Sequence, residues 1–104
     1  MTTVLISIGH RDRDGNLLPN RFLSELPSDL RCLAEVHRAT ILAQGTSVGT
    51  WGGVDEVCST ILFDIDPDKV PGLIHLCEYL RNAYQQDAVG FVIHDHATYP
   101  ESYV

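Results

Sequence analysis

Two groups of residues in this chain have the types and spacing that chemistry requires. The first runs along Gly45-Thr46-Ser47-Val48-Gly49-Thr50-Trp51-Gly52-Gly53 and on to Glu56, and holds four of the eight glycines and the only tryptophan. An indole offers a face on which a planar ring stacks. A guanidinium such as that of Arg11 grips an anion with a fork of donors, and a carboxylate such as Glu56 takes or gives protons. The second group is His94-Asp95-His96. Side chains alternate along a strand, so both imidazoles fall on one face, a spacing used to hold metal ions. A metal site needs three or four ligands, and Asp64 or a carboxylate of a second copy of the chain is the candidate for a third. The plainer reading is a solvated strand end carrying two histidines, so the sequence calls for no cofactor.

Other motifs fail on their spacing. Gly45-x-x-x-Gly49 is followed by Trp51 rather than by Gly-Lys-Ser/Thr at a helix start, so it is no phosphate loop. No Gly-x-Ser-x-Gly elbow is present. Cys32, Cys58 and Cys77 are an odd number at wide spacing, which argues against both a disulfide framework and a zinc site. Nothing near Cys58 stabilises a thiolate. No residue is assigned as catalytic.

The elements that must position these groups follow from periodicity. Val4, Ile6 and Ile8 alternate with Leu5, Ser7 and Gly9, a strand pattern. Arg11 to Asn16 is a polar turn broken by Asp14-Gly15. Pro19 opens a helical stretch carrying Phe22, Leu23 and Leu26. Leu30, Leu33 and Ala34 carry a second stretch, capped by Ser28. Pro27 lies between them, and a proline inside one helix costs about 3 kcal/mol, so a break is expected there. Residues 39–51 and 54–65 read as two strands joined by Gly52-Gly53, since both glycines accept a positive φ. That turn places Trp51 opposite Val54, Gly49 opposite Glu56, Ser47 opposite Cys58 and Gly45 opposite Thr60. The other face then carries Leu42, Val48, Val57, Ile61, Phe63 and Ile65 toward the helices. Asp66-Pro67-Asp68 starts a helix whose Val70, Leu73, Ile74, Cys77, Leu80 and Tyr84 form one stripe, running to about Gln86. Ala88 to Asp95 is a last strand, and a polar tail begins at about residue 97.

The order strand, helix, strand, strand, helix, strand predicts a single α+β domain. It is a ferredoxin-like sandwich, with a four-stranded antiparallel sheet and both helices on one face. Right-handed crossovers put the first strand between the third and fourth and leave the second at an edge. The open face then collects Arg11, Ser47, Gly49, Trp51 and Glu56, with Gly45, Ser47 and Gly49 forming a trough beside an Arg11–Glu56 charged pair. Leu5, Ile41, Leu62 and Val92 are placed on that face too. With Gly-x-Trp-Gly-Gly-x-x-Glu at Gly49 to Glu56, the architecture resembles uncharacterised small proteins of phage and bacterial genomes. The resemblance implies a fold and no activity.

The formal net charge of -7 opposes binding to nucleic acid, and no apolar run is long enough to span a membrane. The N-terminus reads as a strand rather than a leader, which makes the cytoplasm the expected location. An apolar open face is usually covered, and a second copy of the chain is the expected cover. Three functional readings follow. The first is a non-enzymatic module that binds a small molecule or protein through Arg11, Ser47, Gly49, Trp51 and Glu56 and self-associates through the open face. The second is a small enzyme using Glu56 or a His94/His96 site. The third is an acidic inhibitor of a nucleic-acid-binding protein.

Overall fold

In the computed structural model the strand patterns become one antiparallel sheet, with the strand order β2-β3-β1-β4-β5. The structure describes residues 1–51, 53–94 and 101–103. The strands are β1 (Thr2–Gly9), β2 (Thr40–Trp51), β3 (Val54–Ile65), β4 (Gly90–His94) and β5 (Glu101–Tyr103). Two helices, α1 (Asn20–Val36) and α2 (Val70–Ala83), cover one face. The α+β architecture and the expected order of the four main strands are present. The C-terminal segment differs from the expected tail, because its backbone at 101–103 pairs with β4 as a short edge strand.

The core lies between the helices and the even-numbered residues of β1. Val4, Ile6 and Ile8 are fully buried against Ile61, Phe63 and Ile65 of β3. Phe91 of β4 and Leu26, Leu30, Leu73 and Cys77 of the helices close the layer. Among the described residues no helix is long and apolar enough to cross a membrane.

Helix α1 departs from expectation: it runs unbroken from Asn20 to Val36 through Pro27. Leu26 precedes the proline, and Leu30, Leu33 and Ala34 follow it on the same buried face. Burying a Leu side chain stabilises by about 1.5–3 kcal/mol, so the leucines on both sides of Pro27 together outweigh its cost. Asp66 caps the start of the second helical segment, its Oδ1 accepting from the Asp68 backbone at 3.0 Å. A 3₁₀ turn (Pro67–Lys69) leads from there into α2.

Both helices end in the same way. In α2 the Gln86 N–H donates to the Arg81 carbonyl at 2.8 Å and the Gln85 N–H to the Asn82 carbonyl at 3.2 Å. In α1 Ala39 donates to Ala34 and Arg38 to Glu35, each at 3.0 Å. This is the Schellman arrangement, whose turning residue is left-handed. Here Gln85 (φ 51) and Arg38 (φ 54) occupy that position.

The β2–β3 hairpin has the expected register from Gly45↔Thr60 to Trp51↔Val54. Below it a β-bulge lies between Ile41 and Ala43, so Ala43 pairs with Leu62 while Ile41 pairs with Phe63. Ile41 therefore packs against the core rather than on the open face, and Leu42, the extra residue, is 51% exposed. Val48 and Val57 do lie on the helix-side face, but at 70% and 48% exposure they extend past the helices that were expected to cover them.

Candidate functional site

The open face is set by β1. Leu5, Ser7 and Gly9 pair with Leu62, Thr60 and Cys58 on one side. Leu5 and Ser7 pair with Val92 and Gly90 on the other. Where β1 ends, the chain turns through 11–16, closed by an Arg11–Leu17 bridge. Asp12 organises that loop: its Oδ1 accepts from the backbone of Asp14 and Asn16, each at 3.0 Å. Gly15, at φ 83, supplies the left-handed turn.

Two hydrogen bonds tie this loop to the segment leaving α2. The Arg13 N–H donates to the Gln85 carbonyl at 2.7 Å, and Gln86 Nε2 donates to the Arg11 carbonyl at 2.9 Å. The Schellman turn directs residues 86–88 back over the open face. Between this segment, the 11–13 loop and the near end of the hairpin lies a cavity of about 240 Å³. Small-molecule pockets run from roughly 300 to 1,000 Å³, so this one is at the small end of that class. Its floor is Leu5, Ser7, Gly9, Gly90 and Val92, and its walls include Arg11, Asp12, Arg13, Gly49, Glu56, Gln86 and Asp87.

Glu56 occupies a place made for it. A Cβ built on Gly9 would lie 2.1 Å from Glu56 Oε1 and 2.7 Å from Oε2, so the carboxylate rests directly on the glycine backbone. Oε1 also accepts from the Arg11 backbone N–H at 3.1 Å. The expected Arg11–Glu56 charged pair is thus replaced by a backbone contact. The Arg11 guanidinium turns instead to the Gly15 carbonyl, donating from Nη1 at 3.1 Å. Two arginines and three carboxylates line the cavity, so its charge favours a ligand with net positive charge.

Cys58 sits beside Glu56 on the same face and is a poor nucleophile. Burial pushes its thiol up, and the Glu56 charge adds to this, against a smaller opposing hydrogen bond with the Gly49 backbone.

The proposed binding residues distribute unevenly. Arg11, Gly49 and Glu56 line the cavity. Ser47 is on the same face, opposite Cys58, but outside the lining. The Trp51 backbone pairs with Val54, and its side chain lies outside what the structure describes. The Gly45–Gly49 trough is open at Gly45, where an added Cβ would meet nothing within 4 Å. The enclosed space lies further in, over Gly9 and Gly90. His94 pairs across from Thr3, whose hydroxyl donates to Asp64 at 2.6 Å, so His94, Thr3 and Asp64 form one row. His96 lies outside the described residues. Among those described, no group of three His, Cys, Asp or Glu is placed to hold a metal ion.

No family model matches the chain, and no curated protein matches it. Its fold resembles that of a phage SAM lyase. A structure of that protein in complex with S-methyl-5'-thioadenosine aligns with a TM-score of 0.63 at 15% identity, covering 99% of this chain and 88% of the other. The apo structure aligns with a TM-score of 0.59 at 14% identity, covering 99% and 87%. At that identity the likeness is one of fold.

Asp12, Arg13, Gln86, Asp87 and Ala88 also line the cavity, and strand alternation does not point to them. The signal available for the loop was Asp12 followed by Asp14-Gly15, the composition of an Asx turn. For Gln86 there was none, because it stands 75 residues from the Arg11 carbonyl it contacts.

Proposed function

We propose that the open-face cavity binds an adenosyl sulfonium such as S-adenosylmethionine, together with the thioether nucleoside that remains when the sulfonium is split. The observation that carries this reading is the Glu56 carboxylate seated on Gly9 in a cavity lined by two arginines and three carboxylates. S-Adenosylmethionine has a sulfonium, an ammonium and one carboxylate, a net charge of the complementary sign. The apolar floor of Leu5 and Val92 suits the nucleoside's uncharged parts. Support from the shared fold with a protein solved with S-methyl-5'-thioadenosine is analogy.

The test separates charge from shape. Titration calorimetry of Glu56→Gln should show affinity for S-adenosylmethionine falling about 10-fold or more, since a hydrogen bond to a charged group contributes about 1.5–3 kcal/mol. Affinity for neutral S-methyl-5'-thioadenosine should change by less than about threefold, because no cation is lost. Equal losses for both ligands, or wild-type protein that binds neither, would refute the reading.

Cleavage is a second reading, favoured by the apolar floor at Leu5 and Val92. When the bond between sulfur and the γ-carbon breaks, both electrons pass to sulfur and its charge disappears. An apolar floor favours that loss of charge, and the neutral thioether leaves without a proton donor. The substrate's own carboxylate can close on the γ-carbon as a lactone, which balances the step. Glu56 then holds the ammonium arm in position. Chromatography of S-adenosylmethionine incubated with the protein decides it: intact substrate at enzyme-equivalent concentration removes this reading and leaves the binding one.

Self-association through the open face belongs to the same proposal. Val54 and Val92 are exposed there at 66% and 36%, and a second copy would cover them. Light scattering that shows only monomer at tens of micromolar would refute it.

A further inference from the structure

Gln86 carries a second inference, which rests on the binding reading above. The residue is nearly buried, at 5% exposure, and lines the cavity. Nε2 donates to two backbone carbonyls, Arg11 O at 2.9 Å and Tyr84 O at 3.0 Å. Carbonyls cannot donate, so the amide orientation is fixed: the NH₂ must face them, and both of its hydrogens are used. Oε1 accepts from no described residue, yet no buried side-chain oxygen among the described residues lacks a partner. Oε1 is therefore reached by solvent, and the space Gln86 lines is the cavity. The amide consequently offers the ligand an acceptor and nothing else.

We infer that Gln86 is a specificity-determining residue that accepts a hydrogen bond from the exocyclic amine of an adenine ring. The ligand's neutral donors are the exocyclic amine and the two ribose hydroxyls, and the amine, fixed in the plane of the ring, is the one that suits a rigid acceptor. The ligand's ammonium is better served by Glu56, Asp12 or Asp87, which carry charge. The rigidity follows from position: Gln86 also donates its backbone N–H to Arg81, closing the end of α2, so the acceptor is held by the helix rather than by a loop.

The probe is a pair of ligands: S-methyl-5'-thioadenosine and its 6-desamino analogue, in which hydrogen replaces the exocyclic amine. Deleting the amine leaves an acceptor without its partner. The analogue should bind wild-type protein about 10-fold or more weakly, a difference of about 1.4 kcal/mol per tenfold. Gln86→Met keeps the length and loses the acceptor, so it should bind the two nucleosides within about twofold of each other. Should that variant fail to fold, the side-chain carbonyl ¹³C resonance of Gln86 in wild-type protein gives the same answer. It should move with the amino nucleoside and stay still with the desamino one. Equal affinities for the pair, or a Gln86 carbonyl that ignores the amine, overturn this inference and leave the binding reading intact. Wild-type protein that binds neither nucleoside nor S-adenosylmethionine overturns both.

Discussion

Replacing Gly9 by alanine should separate stability from function in one step. The new methyl would lie 2.1 Å from Glu56 Oε1, 2.4 Å from Cδ and 2.7 Å from Oε2. Ordinary contact begins at 3.4 Å, so Oε1 must retreat by about 1.3 Å (3.4 − 2.1). That distance exceeds the slack in its 3.1 Å hydrogen bond from the Arg11 N–H, which breaks. Yet the obstacle is the far end of a flexible, half-exposed side chain and not backbone, so the fold yields by rotating Glu56 outward. The expected stability cost is about 1 kcal/mol, the net worth of one hydrogen bond, seen as a drop of about 4–8 °C in Tm for a domain of this size. The expected functional cost is larger. A hydrogen bond to a charged group contributes about 1.5–3 kcal/mol, so with the carboxylate displaced affinity for S-adenosylmethionine should fall at least about tenfold. Calorimetry and thermal unfolding on the same samples give both numbers. Glu56→Ala supplies the control: in that background the methyl meets no carboxylate, so Gly9→Ala should leave Tm unchanged. A Gly9→Ala protein with wild-type affinity would refute the assigned role of Glu56. A large Tm loss that persists in the Glu56→Ala background would refute the steric account.

Two further outcomes follow from the helix ends and the core. Gln85→Gly should stabilise the protein by about 1 kcal/mol, because glycine takes the left-handed position without the Cβ penalty that glutamine bears; a lower Tm would refute the strain argument. Burial pushes the Cys77 thiol up to about 12 from an ordinary value of 9.0, so the unfolded chain loses this proton first. Its stabilising contribution is complete below pH 9 and falls away as pH climbs toward 12, by about 1.4 kcal/mol per pH unit. Burial and the Asp29 hydrogen bond raise Tyr84 as well, so the two groups share the alkaline slope. Urea midpoints between pH 8 and 11 should show that slope reduced in Cys77→Ala, and an unchanged slope would count against a buried neutral thiol.

How far the fold could be read depended on how local the cause was. The hairpin register was legible because Gly52-Gly53 and the alternation around it agree, and the strand order because crossover handedness leaves few choices. The helix ends were not, since the turning positions hold Gln85 and Arg38 where glycine is the usual marker. At Pro27 the local cost is visible in the sequence and the opposing tertiary burial is not. Ile41 lies on the face opposite to the one that strict alternation predicts, because nothing in Thr40-Ile41-Leu42-Ala43 announces a bulge. Of the candidate site, the half carried by the hairpin and β1 was readable as strand alternation. The other half, Gln86 to Ala88, arrives from the end of a helix and meets Arg11 only in three dimensions.

The bulge at Leu42 gives the long second strand two independent phases. Below it, Ile41↔Phe63 answers to the core; above it, the run from Gly45 to Trp51 answers to its own turn. One surplus residue absorbs the mismatch, so neither end dictates the register of the other. The two halves can therefore be altered separately. Substitutions near the hairpin tip can follow a changing ligand or partner while the pairing that anchors the strand stays fixed. A chain of 104 residues can in this way keep one fold while the wall of its cavity is altered.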